Sequence, residues 1–205
     1  MKKLLISTLF ICLIGLFDIN AQSEKFQFIS IYNTQPAQPF GKLGALFIKD
    51  LHPGIEWGTG KIFKKRKNHE WIWSNRVGYF YHRFVQQAVY INTDGRYRWR
   101  KGSLGIEASL GLGLLTSFPL TGVYQLSDQG EYQRKSIYMR LQASANVGLG
   151  LSWALKTKMK STKRIFLRYE QKIQFPFIRS YVPFLPYSSI MAGCEFPIHS
   201  KSKNK

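Results

Sequence analysis

Apolar and polar residues alternate along most of this chain with a period of two. In the clearest stretch the odd positions are Ile137, Met139, Leu141, Ala143, Ala145, Val147, Leu149, Leu151, Trp153 and Leu155. The even positions are Tyr138, Arg140, Gln142, Ser144, Asn146, Gly148, Gly150 and Ser152. One face is apolar without a break and the other is polar or small. A helix, whose period is about 3.6, would scatter both sets around its circumference, so the stretch predicts a strand.

The pattern recurs. Trp71, Trp73, Val77, Tyr79 and Tyr81 alternate with Glu70, Ser74, Arg76 and His82. Val89, Ile91, Thr93, Tyr97 and Trp99 oppose Asn92, Asp94, Arg96, Arg98 and Arg100, while Leu104, Ile106, Ala108, Leu110, Leu112 and Leu114 oppose Glu107 and Ser109. Ile165, Leu167, Tyr169, Ile173 and Phe175 stand against Arg168, Glu170, Lys172 and Gln174, and Ile190, Ala192, Cys194, Phe196 and Ile198 against Ser189, Gly193 and Glu195. Weaker alternation places Ile55, Trp57, Thr59 and Phe63 opposite His52 and Glu56, with an opening strand at 40–48. The reading is an all-β, antiparallel up-and-down barrel of about eight strands near 40–48, 52–64, 69–84, 87–100, 102–118, 136–155, 164–177 and 187–199.

Alternation alone fits a soluble barrel with its apolar face inward or a membrane barrel with that face in lipid. Strand length favours the membrane, because globular strands average about 5 or 6 residues and a tilted crossing needs about 9 to 11. Charge favours it too. Glu56, Glu70, Asp94, Glu107, Glu170 and Glu195 share the polar faces with Arg76, Arg96, Arg98, Arg140, Arg168 and Lys172, and together they predict a lumen in which opposite charges neutralise one another. Trp57, Trp71, Trp73, Tyr79, Tyr81, Trp99, Trp153 and Phe177 are candidates for interfacial girdles. The joins sort by length: brief around Lys65 to Asn68 and at Lys101, long near Pro119 to Lys135 and Ile178 to Pro186, which predicts short periplasmic turns and longer outer loops.

The first residues run Lys2-Lys3, an apolar stretch from Leu4 to Phe17, then Asn20-Ala21-Gln22, which predicts a signal peptide over 1–21 cut after Ala21. A periplasmic segment is expected at 22–39, the barrel at 40–199 and a basic tail at 200–205. Ile11 before Cys12 does not fit a lipidation site. Beyond the signal only Cys194 remains, which leaves no pair for a disulfide. Lys and Arg number 30 against 11 Asp and Glu, a net charge of +19. Many of these cations fall in turns and termini, including the run Lys61 to Lys67, so the expected counter-charge is outer-membrane lipid, lipopolysaccharide included, and not nucleic acid.

The chain resembles the small outer-membrane β-barrel proteins of bacteria, including poorly characterised families whose signal peptide ends near Ala-Gln. The resemblance implies a place in the outer membrane and insertion by the barrel-assembly machinery. Such barrels usually end on an aromatic residue, whereas here Phe196 is followed by Pro197-Ile198-His199.

Some barrels of this kind act on lipid A or phospholipid acyl chains, which requires a nucleophile beside a histidine oriented by a carboxylate. His82, His52, Glu56 and Ser117 are the candidates, although Arg83-Phe84-Val85 after His82 matches no deacylase pattern. Gly111-Leu112-Gly113 and Gly148-Leu149-Gly150 lie within strand alternation and read as lumen space, not a phosphate loop. The scattered histidines have no metal-ligand spacing, and no cofactor is expected. The first functional expectation is a non-enzymatic barrel with no wide pore that has a structural or ligand-binding role, with Tyr124, Tyr132, Arg179 and Tyr181 as loop contacts. A rim enzyme, which would lose activity on lipid A in His82→Ala, and a soluble periplasmic barrel holding an apolar ligand are the alternatives.

Overall fold

The computed structural model describes residues 24–36, 51–83, 85–120, 123–126, 130–135, 139–155, 163–177 and 183–198. The strands in chain order are β1 (Lys25–Pro36), β2 (Pro53–Arg66), β3 (His69–His82), β4 (Gln86–Lys101), β5 (Leu104–Pro119), β6 (Val123–Leu126), β7 (Tyr132–Lys135), β8 (Arg140–Leu155), β9 (Lys163–Phe175) and β10 (Leu185–Ile198). Eight of them close in the order β1-β10-β9-β8-β5-β4-β3-β2, every neighbour antiparallel, and β6 and β7 form a separate hairpin. Closure matters because it pairs the edge groups of β1 with β10 and leaves the barrel sheet without an open edge.

The two faces separate as the alternation demands. Ile91 is 63% exposed and its neighbour Asn92 1%; Leu149 is 64% exposed while Glu70, Arg96 and Arg98 are almost wholly enclosed. The Leu, Ile and Val rows therefore face outward and the ionic rows face the lumen, the reverse of a soluble barrel. On the outside, Trp71 packs against Tyr97 with ring centroids 5.0 Å apart, near Trp99 and Trp153 at the end bearing the short turns. Tyr79 and Tyr81 mark the opposite end of β3. From Trp71 to Tyr81 the strand rises about 34 Å, or about 26 Å along a barrel axis inclined by about 40°, which matches the apolar band of outer-membrane barrels. Trp57, paired with Ile29 and Val77, sits inside that band and not at its edge, and Phe177 lies beyond the end of β9.

The opening of the barrel differs from the sequence expectation. Its first strand is β1, inside the segment expected to be periplasmic, so the barrel begins at Lys25 and not near 40. The stretch 40–48, the expected signal segment 1–21 and the expected basic tail 200–205 lie outside the described residues. The physical reason is in the faces of β1: Phe26, Phe28 and Tyr32 point inward, while Lys25 and Gln27 share the outward face with Ile29 and Ile31, so neither face reads as plainly apolar. The inward rings are accommodated by glycines on β2. A Cβ at Gly54 would overlap the Tyr32 ring, and one at Gly60 the Phe26 ring.

With β1 in place, three long connections, 37–52, 120–139 and 176–184, leave the same end as the short one after His82. The stretch expected as loop near Pro119 to Lys135 contains the β6–β7 hairpin. At the other end β2 and β3 are joined by Lys67-Asn68, and β4 and β5 by Gly102-Ser103, where Gly102 takes φ 62° as a two-residue hairpin turn requires.

The two faces of β3 make opposite demands on added bulk. Gly78→Val thrusts methyl groups into the Tyr90 ring and is expected to lower unfolding stability by about 1–3 kcal/mol, while Val77→Leu, one residue away and outward, stays within about 0.5 kcal/mol. Urea unfolding from phospholipid vesicles, followed by tryptophan fluorescence, measures both; equal losses would contradict the inward position of residue 78.

Candidate functional site

The lumen is filled by side chains in levels. Toward the short-turn end, Phe26, Phe28, Ile62, Ile72 and Phe166 form an apolar cluster, and the Arg96 guanidinium lies 5.6 Å from the Phe28 ring centroid. Against it Arg98 reaches Glu107 and Glu195, each at 2.6 Å, and Glu70 at 3.3 Å. Arg96 reaches Glu107 at 2.6 Å and Glu195 at 2.9 Å, and Arg100 closes the group on Glu70 at 3.0 Å.

A second ionic centre occupies the middle. Arg76 contacts Glu170 at 2.6 Å, Asp94 at 2.8 Å and Glu56 at 2.9 Å. Glu56 also accepts from Tyr90 Oη at 2.8 Å and Ser30 Oγ at 3.0 Å, and Asp94 accepts from Asn146 Nδ2 at 2.7 Å. Lys172 stands 3.5 Å from Glu170 and lies over the Tyr90 ring. Arg168, 3.8 Å from Glu107, lies between the two centres. Among the described residues, six lumen carboxylates (Glu56, Glu70, Asp94, Glu107, Glu170, Glu195) thus meet six cations (Arg76, Arg96, Arg98, Arg100, Arg168, Lys172).

This arithmetic explains how so much charge sits out of water. An isolated buried ion is very costly, whereas a guanidinium presenting several N–H donors to several carboxylates recovers much of that cost. The glycines leave room for it: a Cβ at Gly111 would overlap the Asp94 carboxyl, and one at Gly113 the Asn92 amide. Arg140, grouped by alternation with the lumen charges, is not among these pairs. It opens β8 at the long-loop rim, half-buried, and donates to the Phe177 carbonyl at 3.5 Å. Arg100, at the other mouth, is the cation that pairs instead.

Toward the long-loop end Tyr32, Phe80, Ala88, Tyr90, Leu115, Tyr187 and Met191 make a second apolar cluster. An amide chain crosses it: Gln86 Nε2 donates to Gln174 Oε1 at 2.7 Å and to Tyr187 Oη at 2.9 Å, and Gln174 Nε2 donates to Gln142 Oε1 at 2.7 Å. Above this the rings of His52 and His82 stack face to face, centroids 3.7 Å apart.

The four candidate catalytic residues are therefore all inward-facing, but they do not form a nucleophile–base–carboxylate set. Ser117 Oγ donates to Gln142 Oε1 at 2.8 Å, Glu56 is engaged by Arg76, Tyr90 and Ser30, and the two histidines face each other. No group of three or more potential metal ligands occurs among the described residues. Of the candidate loop contacts, Tyr132 is exposed at the start of β7, and Arg179 and Tyr181 lie outside the described residues, as does the side chain of Tyr124.

Arg76, like Arg98, meets three carboxylates, which ranks it above the rim cation Arg140. Arg76→Leu leaves Glu56, Asp94 and Glu170 without their common partner and is expected to cost about 3–5 kcal/mol, against less than about 1 kcal/mol for Arg140→Leu. Unfolding midpoints in urea test the order; similar midpoints for the two variants would contradict it.

No protein-family model matches the sequence, and no curated protein matches it. Among solved structures the chain is similar to Neisserial surface protein A, at 9% identity over 84% of this chain and 96% of that one, with a TM-score of 0.53. It is also similar to Ail, the attachment invasion locus protein of Yersinia pestis, at 14% identity over 87% and 100% of the two chains and a TM-score of 0.48. The outer membrane enzyme PagL gives 10% identity, 82% and 97% coverage and a TM-score of 0.46. The likeness is one of fold: this chain is a closed eight-stranded antiparallel barrel of the kind found in small bacterial outer-membrane proteins.

Proposed function

We propose that this chain is an integral protein of the outer membrane, a sealed barrel that holds its long connections at the outer surface for a structural or ligand-binding role. The observation that carries the reading is the inversion of polarity: aliphatic rows outside, ion pairs inside. Such an object would expose a broad apolar belt in water but loses no solvation in a bilayer, where its backbone is already paired strand to strand. The two ionic centres and the amide chain fill the lumen, which supports an anchor in preference to a pore. With the short turns and both strand termini at the periplasmic end, the connections 37–52, 120–139 and 176–184 would face outward, and Tyr132 would be available there.

The expected outcomes are sedimentation with the outer membrane, a shift in gel mobility between unboiled and boiled samples, and no stepwise conductance in planar bilayers. Release into the soluble fraction without detergent, or identical mobility before and after boiling, would overturn the reading. Expression of the protein or of His82→Ala is expected to leave lipid A unaltered, because Ser117 and Glu56 are engaged elsewhere; lipid A that loses acyl chains only with the parent protein would favour the enzyme.

A further inference from the structure

The outer wall is not uniformly ridged. On β10 the outward positions Ala192 and Cys194 are small, while their cross-strand neighbours are large: Ile31 and Leu167 beside Ala192, Ile29 and Ile165 beside Cys194. Leu151, Trp153 and Leu104 extend the far wall across β8 and β5. The result is a groove of about 690 Å³ along β10, with an almost wholly apolar lining. It is an open trough and not an enclosed cavity, so an occupant would lie along it with one side uncovered.

Its depth and its charge say what fits. The row Ile29–Cys194–Ile165–Trp153 lies near the start of β1 and β9 and the end of β8 and β10, so the groove occupies the short-turn half of the barrel. Beyond it on the same outward faces stand Lys163, opening β9 next to Ile165, and Lys25, opening β1 past Gln27 and level with Ile198, both exposed; the Lys163 ammonium lies 6.0 Å from the ring centroid of Phe196, two residues past Cys194. Among the described residues neither lysine is in an ion pair with a carboxylate. The wall thus combines an apolar trough with two cations at its mouth, spaced on strands either side of β10.

We infer that this groove binds an anionic glycerophospholipid of the periplasmic leaflet, with an acyl chain along Ala192 and Cys194 and the phosphate held by Lys25 and Lys163. The inference rests on the membrane reading above, and the phospholipid follows from the groove facing the leaflet next to the short turns. Lysines close to an anionic headgroup attract it strongly, whereas a zwitterionic headgroup offers them little net charge.

The test is native mass spectrometry of the full chain after reconstitution in vesicles of equal phosphatidylglycerol and phosphatidylethanolamine. The expected spectrum has one retained lipid per barrel, enriched in phosphatidylglycerol. The double substitution Lys25→Gln with Lys163→Gln is expected to weaken that retention about thirtyfold. Ala192→Leu with Cys194→Leu fills the trough from outside and is expected to abolish retention of both lipids. Unchanged retention in either variant, no preference between the headgroups, or barrel dimers in place of the lipid adduct would overturn the inference. Heat-modifiable mobility, recorded on every variant, keeps the two readings apart. A folded barrel that retains no lipid removes only the groove, and a barrel that shows no mobility shift removes the membrane reading beneath it.

Discussion

Ionic groups can be held away from water only when each finds its opposite, and that requirement organises this barrel. Arg76 gathers Glu56, Asp94 and Glu170; Arg98 gathers Glu70, Glu107 and Glu195. These carboxylates come from β2, β3, β4, β5, β9 and β10, so two guanidiniums tie most of the wall together across the axis. The pairing works in both directions. The strands bring the charges within reach, and the charges fix which faces of the strands turn inward, because a slip of one residue on any of these six strands would put a carboxylate into the aliphatic rows.

Side-chain volume is the second constraint. A closed wall of eight strands encloses limited space, and this lumen holds two aromatic clusters and two ionic centres in it. The solution is local exchange of volume between neighbouring strands. Where β1 contributes Phe26 and Tyr32, β2 contributes Gly60 and Gly54; where β4 contributes Asp94 and Asn92, β5 contributes Gly111 and Gly113. Glycine in a strand interior normally weakens it, and here the loss is offset by the ring or ion pair seated over it.

The same exchange decides what was legible in the sequence. On β8, Val147, Leu149 and Leu151 alternate with Asn146, Gly148 and Gly150, and a plain alternation of that kind gives both the strand and its direction in advance. On β1 the large apolar residues are partly inward, complementing glycines about 30 positions later in the chain, so alternation read one segment at a time misses the strand. The lumen acids were legible as a set because each shares a face with polar neighbours. So were five of their six partners; the sixth was not, because Arg140 and Arg100 share that parity, and only their heights at opposite mouths of the barrel separate a rim residue from a member of the ionic centre. The stacked pair His52 and His82 and the amide chain through Gln86, Gln142 and Gln174 join residues far apart in sequence and left no local signal.

A lumen occupied by paired ions and an amide chain leaves the connections at one end and the apolar outer wall as the surfaces open to contact. All of this depends on the direction in which each row of side chains points, which accessibility along β8 reads out. Single spin labels placed in turn at residues 146 to 151, in a Cys12→Ser, Cys194→Ser background in lipid vesicles, report exposure to oxygen and to a water-soluble nickel chelate. Oxygen accessibility is expected to peak at 147, 149 and 151 and to fall at 146, 148 and 150, with little nickel exposure throughout. Maxima at the even positions, or nickel exposure at 147, 149 and 151, would contradict it.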